Sequence, residues 1–489
     1  MFTLRDYQED ARHLVNIEMN QHRHPVFVSP TGTGKTKTAV AIIADRIRLG
    51  GRVYVLVPQI EIFGQWVRDL QGAGLRTGMI RDGKVIGLNR DVYVVMPLTL
   101  VNMLRYIPKG IWPTDIVTDE CHHSEASSWQ CIYDFFPDAV RLGLTATPKR
   151  TDGLPLSNTY DGIVSTITMR EAVRRGFLAK PLCIVPERFA LDVPVVNGDY
   201  DQKAQARLLG RPSVIGDVIG MYGQVFLGRP CIVACCSFEH AAQMTEEFRA
   251  AGWNFEHIHS NLADDARKSI IRRVREGRLN GICTVGIGIE GMDIPGLYGL
   301  IWLRRTMSVT IYLQFCGRVL RPMEGKEYGI ILDPVGNVFI HGFPDAERRW
   351  TLDGTSGEPE EDRPVICSVC GAANPSGNVL CDVCGADLSA GDGETVTVAG
   401  GRKRRLPSVV DGRLVVMDED GMQDIRAKVE EMRHAAEEIR REDMRAAEAV
   451  EARTLTNAEK MRLFRQGFLT PANRENFRDA VKVLKGEVG

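Results

Sequence analysis

Ser29-Pro30-Thr31-Gly32-Thr33-Gly34-Lys35-Thr36 lies between an apolar run, Val26-Phe27-Val28, and a stretch from Lys35 to Leu49 whose pattern predicts a helix. Strand, glycine loop and helix in that order make a phosphate cradle, because the glycines let the backbone N–H groups of Thr31, Gly32, Thr33 and Gly34 converge on one anion. Lys35 is placed to reach the β- and γ-phosphates of a nucleotide, and Thr36 to hold Mg²⁺. One position departs from the usual pattern: Ser29 stands where the first glycine is expected.

Upstream, Leu4-Arg5-Asp6-Tyr7-Gln8 precedes a helix-like stretch from Glu9 to Asn20. The amide of Gln8 can read adenine at N6 and N7 together if the cradle holds ATP; otherwise it is an ordinary surface glutamine. Downstream, the apolar runs Val53 to Val57, Val92 to Met96 and Ile116 to Thr118 alternate with helical stretches. That alternation predicts an α/β fold with a parallel sheet covered on both faces. The last run ends on Asp119-Glu120-Cys121-His122. Two adjacent carboxylates at the carboxyl end of a strand are costly to bury without a cation. In phosphoryl transfer to water one acid holds Mg²⁺ and another orients or deprotonates the water, so Asp119 is given the first role and Glu120 the second. Leu142 to Pro148 then opens an apolar strand into the small hydroxylic residues Thr145 and Thr147.

The stretch from Gly176 to Arg211 mixes Pro, Gly and charge in the manner of a connection. A second strand-helix series follows, from Cys231-Ile232-Val233-Ala234-Cys235-Cys236 through Cys283-Thr284-Val285 and Leu300-Ile301-Trp302 to Ile330-Ile331-Leu332. Gln314, Arg318 and Arg321 fall at spacings of four and three, on one face of a helix. Guanidinium groups on such a face can neutralise charge spreading over a transferred γ-phosphoryl. Asp293, within Gly291-Met292-Asp293-Ile294-Pro295, could accept from a ribose hydroxyl or from a neighbouring lobe.

In their order these stretches resemble the motifs of the superfamily 2 helicases and translocases, in the DExH-type branch that includes DNA-repair and restriction motors. Leu4 to Gln8, including Arg5, is similar to the adenine-reading motif, Ser29 to Thr36 to motif I, and Val57 to Gln65 to motif Ia. Asp119 to His122 resembles motif II, Thr145 to Thr147 motif III, Gly291 to Pro295 motif V, and Gln314 to Arg321 motif VI. The resemblance covers residues 1 to 345. It implies two tandem RecA-like lobes with ATP between them, Arg321 as an arginine finger, Arg318 beside it, and Gln314 against the water or motif II. By the same analogy, strand contacts facing away from the ATP are expected at Gln65, Thr99, His259-Ser260 and Gly286, and DNA is expected over RNA. Arg141, Lys149 and Arg150 add positive charge near motif III.

Beyond an acidic, proline-containing stretch, Cys367-x-x-Cys370 and Cys381-x-x-Cys384 are separated by ten residues, and glycine follows each second cysteine. Two such turns present four thiolates tetrahedrally, which in a reducing compartment favours Zn²⁺, with iron the lesser option. Four thiolates leave no open coordination position, so the expected unit is a structural zinc ribbon that contacts DNA or protein. Arg402-Lys403-Arg404-Arg405 either grips phosphates or is merely solvated. Ile425, Val429, Met432, Ala436 and Ile439 recur in steps of four and three, a short coiled-coil seam or a face that packs on the motor. A protein partner is therefore possible through the ribbon or the helical tail.

Of 489 residues, 44% are hydrophobic and 25% charged, the balance of a globular protein, and no apolar run approaches membrane-spanning length. The net charge of -2 confines any nucleic-acid binding to local patches. The first residues lack the layout of a signal peptide, and the protein is expected in the cytoplasm, without a membrane partner. The expected divisions are lobe 1 over 1–180, a connection over 181–212, lobe 2 over 213–345, an acidic linker over 346–364, a zinc ribbon over 365–390, a linker with the basic run over 391–420 and a helical tail over 421–489. The reading is an ATP-driven nucleic-acid motor. A duplex translocase that separates no strands, or a binding module switched by ATP, is the competing reading.

Overall fold

The computed structural model describes residues 3–124, 126–149, 154–186, 193–196, 198–259, 262–285, 294, 296–353, 365–366, 373–374, 379–380, 395–398, 402–405 and 414–417. The apolar runs of the first third become the strands of one sheet. In chain order these are β1 (Pro25–Val28), β2 (Val53–Leu56), β3 (Thr77–Arg81), β4 (Lys84–Ile86), β5 (Val92–Val95), β6 (Asp115–Asp119), β7 (Val140–Thr145) and β8 (Gly162–Val164). Their order is β4-β3-β5-β2-β6-β7-β1-β8, parallel except for β4, which hairpins back on β3. Helices α1 (Asp6–Asn20), α2 (Lys35–Arg48), α3 (Ile60–Gly72), α4 (Pro97–Met103), α5 (Ser127–Phe135) and α6 (Met169–Arg174) belong to this lobe. Strands β1, β2 and β5 are buried at every position, as strands covered on both faces must be. Each such Val or Leu side chain contributes about 1.5–3 kcal/mol on leaving water.

The second lobe is built the same way. It contains β9 (Lys180–Pro186), a small hairpin of β10 (Val195–Val196) and β11 (Asp199–Tyr200), then β12 (Cys231–Cys235), β13 (Phe255–Ile258), β14 (Gly281–Thr284), β15 (Gly299–Leu303) and β16 (Tyr328–Leu332). Around them lie α7 (Gln202–Leu209), α8 (Pro212–Val225), α9 (Phe238–Ala250), α10 (Asp264–Arg275), α11 (Val309–Val319) and α12 (Asn337–His341). Further along come the hairpin of β17 (Val365–Ile366) with β18 (Ala373–Asn374), the hairpin of β19 (Thr395–Val398) with β20 (Arg402–Arg405), and β21 (Leu414–Met417). The second sheet runs β13-β14-β12-β15-β16-β9-β21, parallel except for β21 against β9. Two α/β lobes with mainly parallel sheets match the tandem RecA-like expectation.

Three stretches read as connections carry structure. Residues 181–186 complete β9, paired in parallel with β16, so the second sheet begins before the apolar run at Cys231. In the same connection, buried Gln205 bonds both the N–H and the C=O of Arg305, and Asp199 accepts from Thr306 and Met307, which fixes the loop leading into α11. Residues 346–353, counted with an acidic linker, fold back onto the first lobe. Trp350 and Leu352 pack near Val28, Leu156 and Tyr160, and Leu156 N–H donates to the Leu352 carbonyl at 2.6 Å. The basic run 402–405 pairs with the alternating β-branched residues Thr395–Val398, a local preference that the glycines around it obscured. Cys367, Cys370, Cys381, Cys384 and the tail over 421–489 lie outside the described residues.

Candidate functional site

In the order β6-β7-β1, the carboxyl ends of the strands bring the glycine loop after β1 within reach of the Asp119-Glu120 pair after β6, with Thr145 of β7 between them. Ser29 explains its own departure from pattern. Its hydroxyl sits 2.6 Å from Thr33 Oγ1, which donates to the Pro30 carbonyl at 2.6 Å, so a buried side-chain bond closes the loop. Gly32 and Gly34 have φ of 90° and 88°, the left-handed region that glycine enters without penalty. A Cβ on Gly34 would also lie 2.4 Å from Gln8 Nε2. The Gln8 amide accepts from Arg5 N–H at 2.9 Å and donates to the Thr33 carbonyl at 3.0 Å, tying the start of α1 to the cradle. Tyr7 Oη donates to the same carbonyl at 2.6 Å, and the Arg5 guanidinium lies 4.3 Å from the Phe177 ring centre.

Lys35 Nζ lies 3.5 Å from Glu120 Oε1. Burial opposes the Lys35 charge, but Glu120 and Asp119 outweigh it and hold the ammonium above its ordinary pKa. Burial pushes the Asp119 carboxyl above the ordinary carboxylate range against the pull of Lys35, and Glu120 adds to the rise. Glu120 adopts a left-handed backbone at φ 48°, and its Oε2 lies 3.5 Å from His122 Nδ1, itself 3.4 Å from Thr145 Oγ1. The hard oxygen donors of Asp119 and Thr36, which line one cavity, fit Mg²⁺ rather than a softer ion.

The opposite wall comes from the second lobe. Gln314 and Arg318 on α11, and Arg321 just beyond it, line the same cavity of about 530 Å³ as Thr31, Thr36, Asp119 and Glu120. Burial holds the Arg321 guanidinium below the usual arginine range. The lobes touch here: a Cβ on Gly317 would sit 2.5 Å from Thr31 Cβ, and one on Gly32 would sit 3.3 Å from Arg321 Cγ. Thr310 Oγ1 donates to the Lys149 carbonyl at 3.1 Å, a further bond between the lobes.

Gln65 was expected to face away from the nucleotide; instead it lines the cavity with Ile62 and Asp69. The helical period of α3 puts these three on the face turned to the cleft, whereas motif order alone said nothing about direction. Thr99 is half-buried in α4, and the His259 ring lies 6.0 Å from that of Phe238. The Arg141 guanidinium lies 4.8 Å from the centre of the Tyr133 ring. Asp293, Gly286, Ser260 and Arg150 lie outside the described residues. Sequence reading missed Trp66, whose indole donates to Asp119 Oδ2 at 2.8 Å. At four-residue spacing from Ile62 and Leu70 it reads as a core aromatic, which it also is.

Two family models match the chain: "Type III restriction enzyme, res subunit" over residues 1–150 and "Helicase conserved C-terminal domain" over residues 218–323. A 51.5 kDa protein of a Lactococcus phage (isolate 7-9) is 30% identical over 323 residues, covering 66% of this chain and 68% of that one. The putative ATP-dependent helicase IRC3 of Saccharomyces cerevisiae is 26% identical over 362 residues, so the chain spans 51% of its length. The type I restriction enzyme EcoKI endonuclease subunit of Escherichia coli is also 26% identical, with 65% of this chain matching 33% of that protein. Among solved structures, the ATP-dependent type ISP restriction-modification enzyme LlaBIII bound to DNA aligns with a TM-score of 0.50 at 18% identity, over 68% of this chain and 28% of that one, a likeness of fold.

Proposed function

Because the chain belongs to the DExH-type superfamily 2 helicases and translocases, related to restriction and DNA-repair helicases, we propose that it is a DNA-stimulated motor that couples ATP hydrolysis to unwinding. It carries the ATP-hydrolase domains of that superfamily. The observation that carries the proposal is the single cavity in which the cradle, the paired carboxylates and the two arginines meet across two lobes. Arg5 and Gln8 lie on the base side, and the cradle from Thr31 to Thr36 holds the phosphates, with Lys35 on the β- and γ-phosphates. Asp293 serves the ribose. Mg²⁺ on Thr36 and Asp119 would screen the phosphate charge. Glu120 orients the attacking water and takes its proton, held by Lys35 and by His122. Gln314 contacts that water, and Arg321 with Arg318 stabilises the charge on the transferred group. Opening and closing of the cleft then moves the lobes along the strand.

A second reading, duplex translocation without strand separation, is favoured by the likeness to restriction-enzyme subunits. ATP turnover measured side by side with single-stranded DNA, duplex, fork and RNA, with displacement read on the fork, decides between them. Turnover stimulated by DNA together with displacement supports the helicase; stimulation without displacement supports the translocase. Among the described residues no helix is long and apolar enough to cross a membrane.

The zinc ribbon is the remaining part of the proposal. Cys367 and Cys370 follow in sequence on β17, where Val365 pairs with Asn374 and Ile366 with Ala373 in antiparallel register. Metal analysis of the purified chain is expected to find about one zinc per chain, lost when Cys367 and Cys370 are both replaced by serine. Less than half an equivalent in the unaltered protein contradicts the site.

A further inference from the structure

Asp119 is a deeply buried carboxylate whose torsions must be fixed before it can serve as a ligand. Its Oδ1 accepts from Glu120 N–H at 3.1 Å, a bond within its own turn. Its Oδ2 accepts from the Trp66 indole at 2.8 Å, a bond from a different element, α3. Trp66 is fully buried, among the largest side chains of the lobe-1 core, and its ring is held by the packing of α3 against β3 and β5. The residues around it on α3, Ile62, Gln65 and Asp69, line the nucleotide cavity, as Asp119 does. The indole therefore fixes one oxygen of a carboxylate that also lines the cavity. An N–H donor of fixed direction behind a metal-binding carboxylate is the arrangement by which outer-shell groups orient a ligand.

We propose that Trp66 is a positioning residue that aims the Asp119 carboxylate at Mg²⁺ and thereby sets the affinity of the site for the metal–nucleotide complex. The proposal rests on the reading of Asp119 as the Mg²⁺ ligand. A phenyl ring in the same place fills most of the space and donates nothing, so Trp66→Phe isolates the hydrogen bond from the packing.

The test is the binding of a fluorescent ADP to the full chain, titrated with and without Mg²⁺, for the unaltered protein, Trp66→Phe, Trp66→His and Asp119→Asn. Thermal melting without nucleotide checks that each variant is folded. Trp66→Phe is expected to need about 10- to 100-fold more Mg²⁺ to reach half of the metal-dependent binding, with Mg²⁺-free binding unchanged. Trp66→His, whose ring keeps an N–H, is expected to recover part of that loss. If Asp119→Asn raises the Mg²⁺ requirement while Trp66→Phe does not, the indole has no positioning role and the proposal falls. If neither variant changes it, the assignment of the metal to Asp119 falls first. If Trp66→Phe weakens binding equally with and without Mg²⁺, Trp66 is core packing and the proposal is again overturned.

Discussion

Arg321→Ala is expected to slow ATP turnover by about 10³- to 10⁵-fold while nucleotide binding changes little. The side chain reaches the cradle from the other lobe, with its Cγ next to the position a Cβ on Gly32 would take. Its backbone is fixed independently: Lys326 Nζ donates to the Arg321 carbonyl at 3.2 Å and to the Val319 and Leu297 carbonyls at 2.6 Å. Truncation at Cβ therefore removes the guanidinium without releasing the segment that carries it. Arg321→Lys keeps the charge but loses the planar fork, and should recover only a small part of the rate. Single-turnover hydrolysis alongside equilibrium nucleotide binding checks both. A loss below tenfold means that the transition-state charge is met elsewhere, with Arg318 the next candidate.

Glu120→Gln is expected to cost about 10²- to 10⁴-fold in the hydrolysis step, the usual worth of a positioned general base. The amide has nearly the shape of the carboxylate and can still hydrogen-bond, so it fits the same left-handed turn but takes no proton from water. It also removes the negative charge that faces Lys35 at 3.5 Å, which leaves Asp119 to balance the ammonium. Nucleotide should remain bound, and the variant is expected to trap the complex before hydrolysis. Rapid-quench measurement of phosphate formation checks this. A variant that turns over within tenfold of the unaltered chain contradicts the role given to Glu120.

The parts of this site that were legible in the sequence are those defined by spacing within one element. The glycine loop, the strand ending in Asp119-Glu120 and the four-and-three spacing of Gln314, Arg318 and Arg321 each fit within a dozen residues, so period and turn chemistry report them directly. Contacts between elements left no such mark. The bond from Trp66 to Asp119 joins residues far apart in the chain, and an indole at a core position looks the same with or without an acceptor. The return of Trp350 and Leu352 to the first lobe lies within a stretch that reads as acidic linker, because two apolar residues are too few to make a period. Gln65, expected to face away from the nucleotide, lines the cavity for a related reason: a motif fixes order along the chain, while direction depends on how α3 packs. Ser29 shows the converse, a departure from pattern that the fold accommodates through one short bond to Thr33.

The central claim, a nucleic-acid-driven ATP hydrolase whose site is divided between two lobes, is tested most directly by the rate of ATP hydrolysis with and without DNA at fixed salt. The account predicts turnover that rises severalfold on adding single-stranded or duplex DNA and falls to background in Arg321→Ala under both conditions. Hydrolysis indifferent to every nucleic acid tried, or stimulated hydrolysis that persists without Arg321, would contradict it.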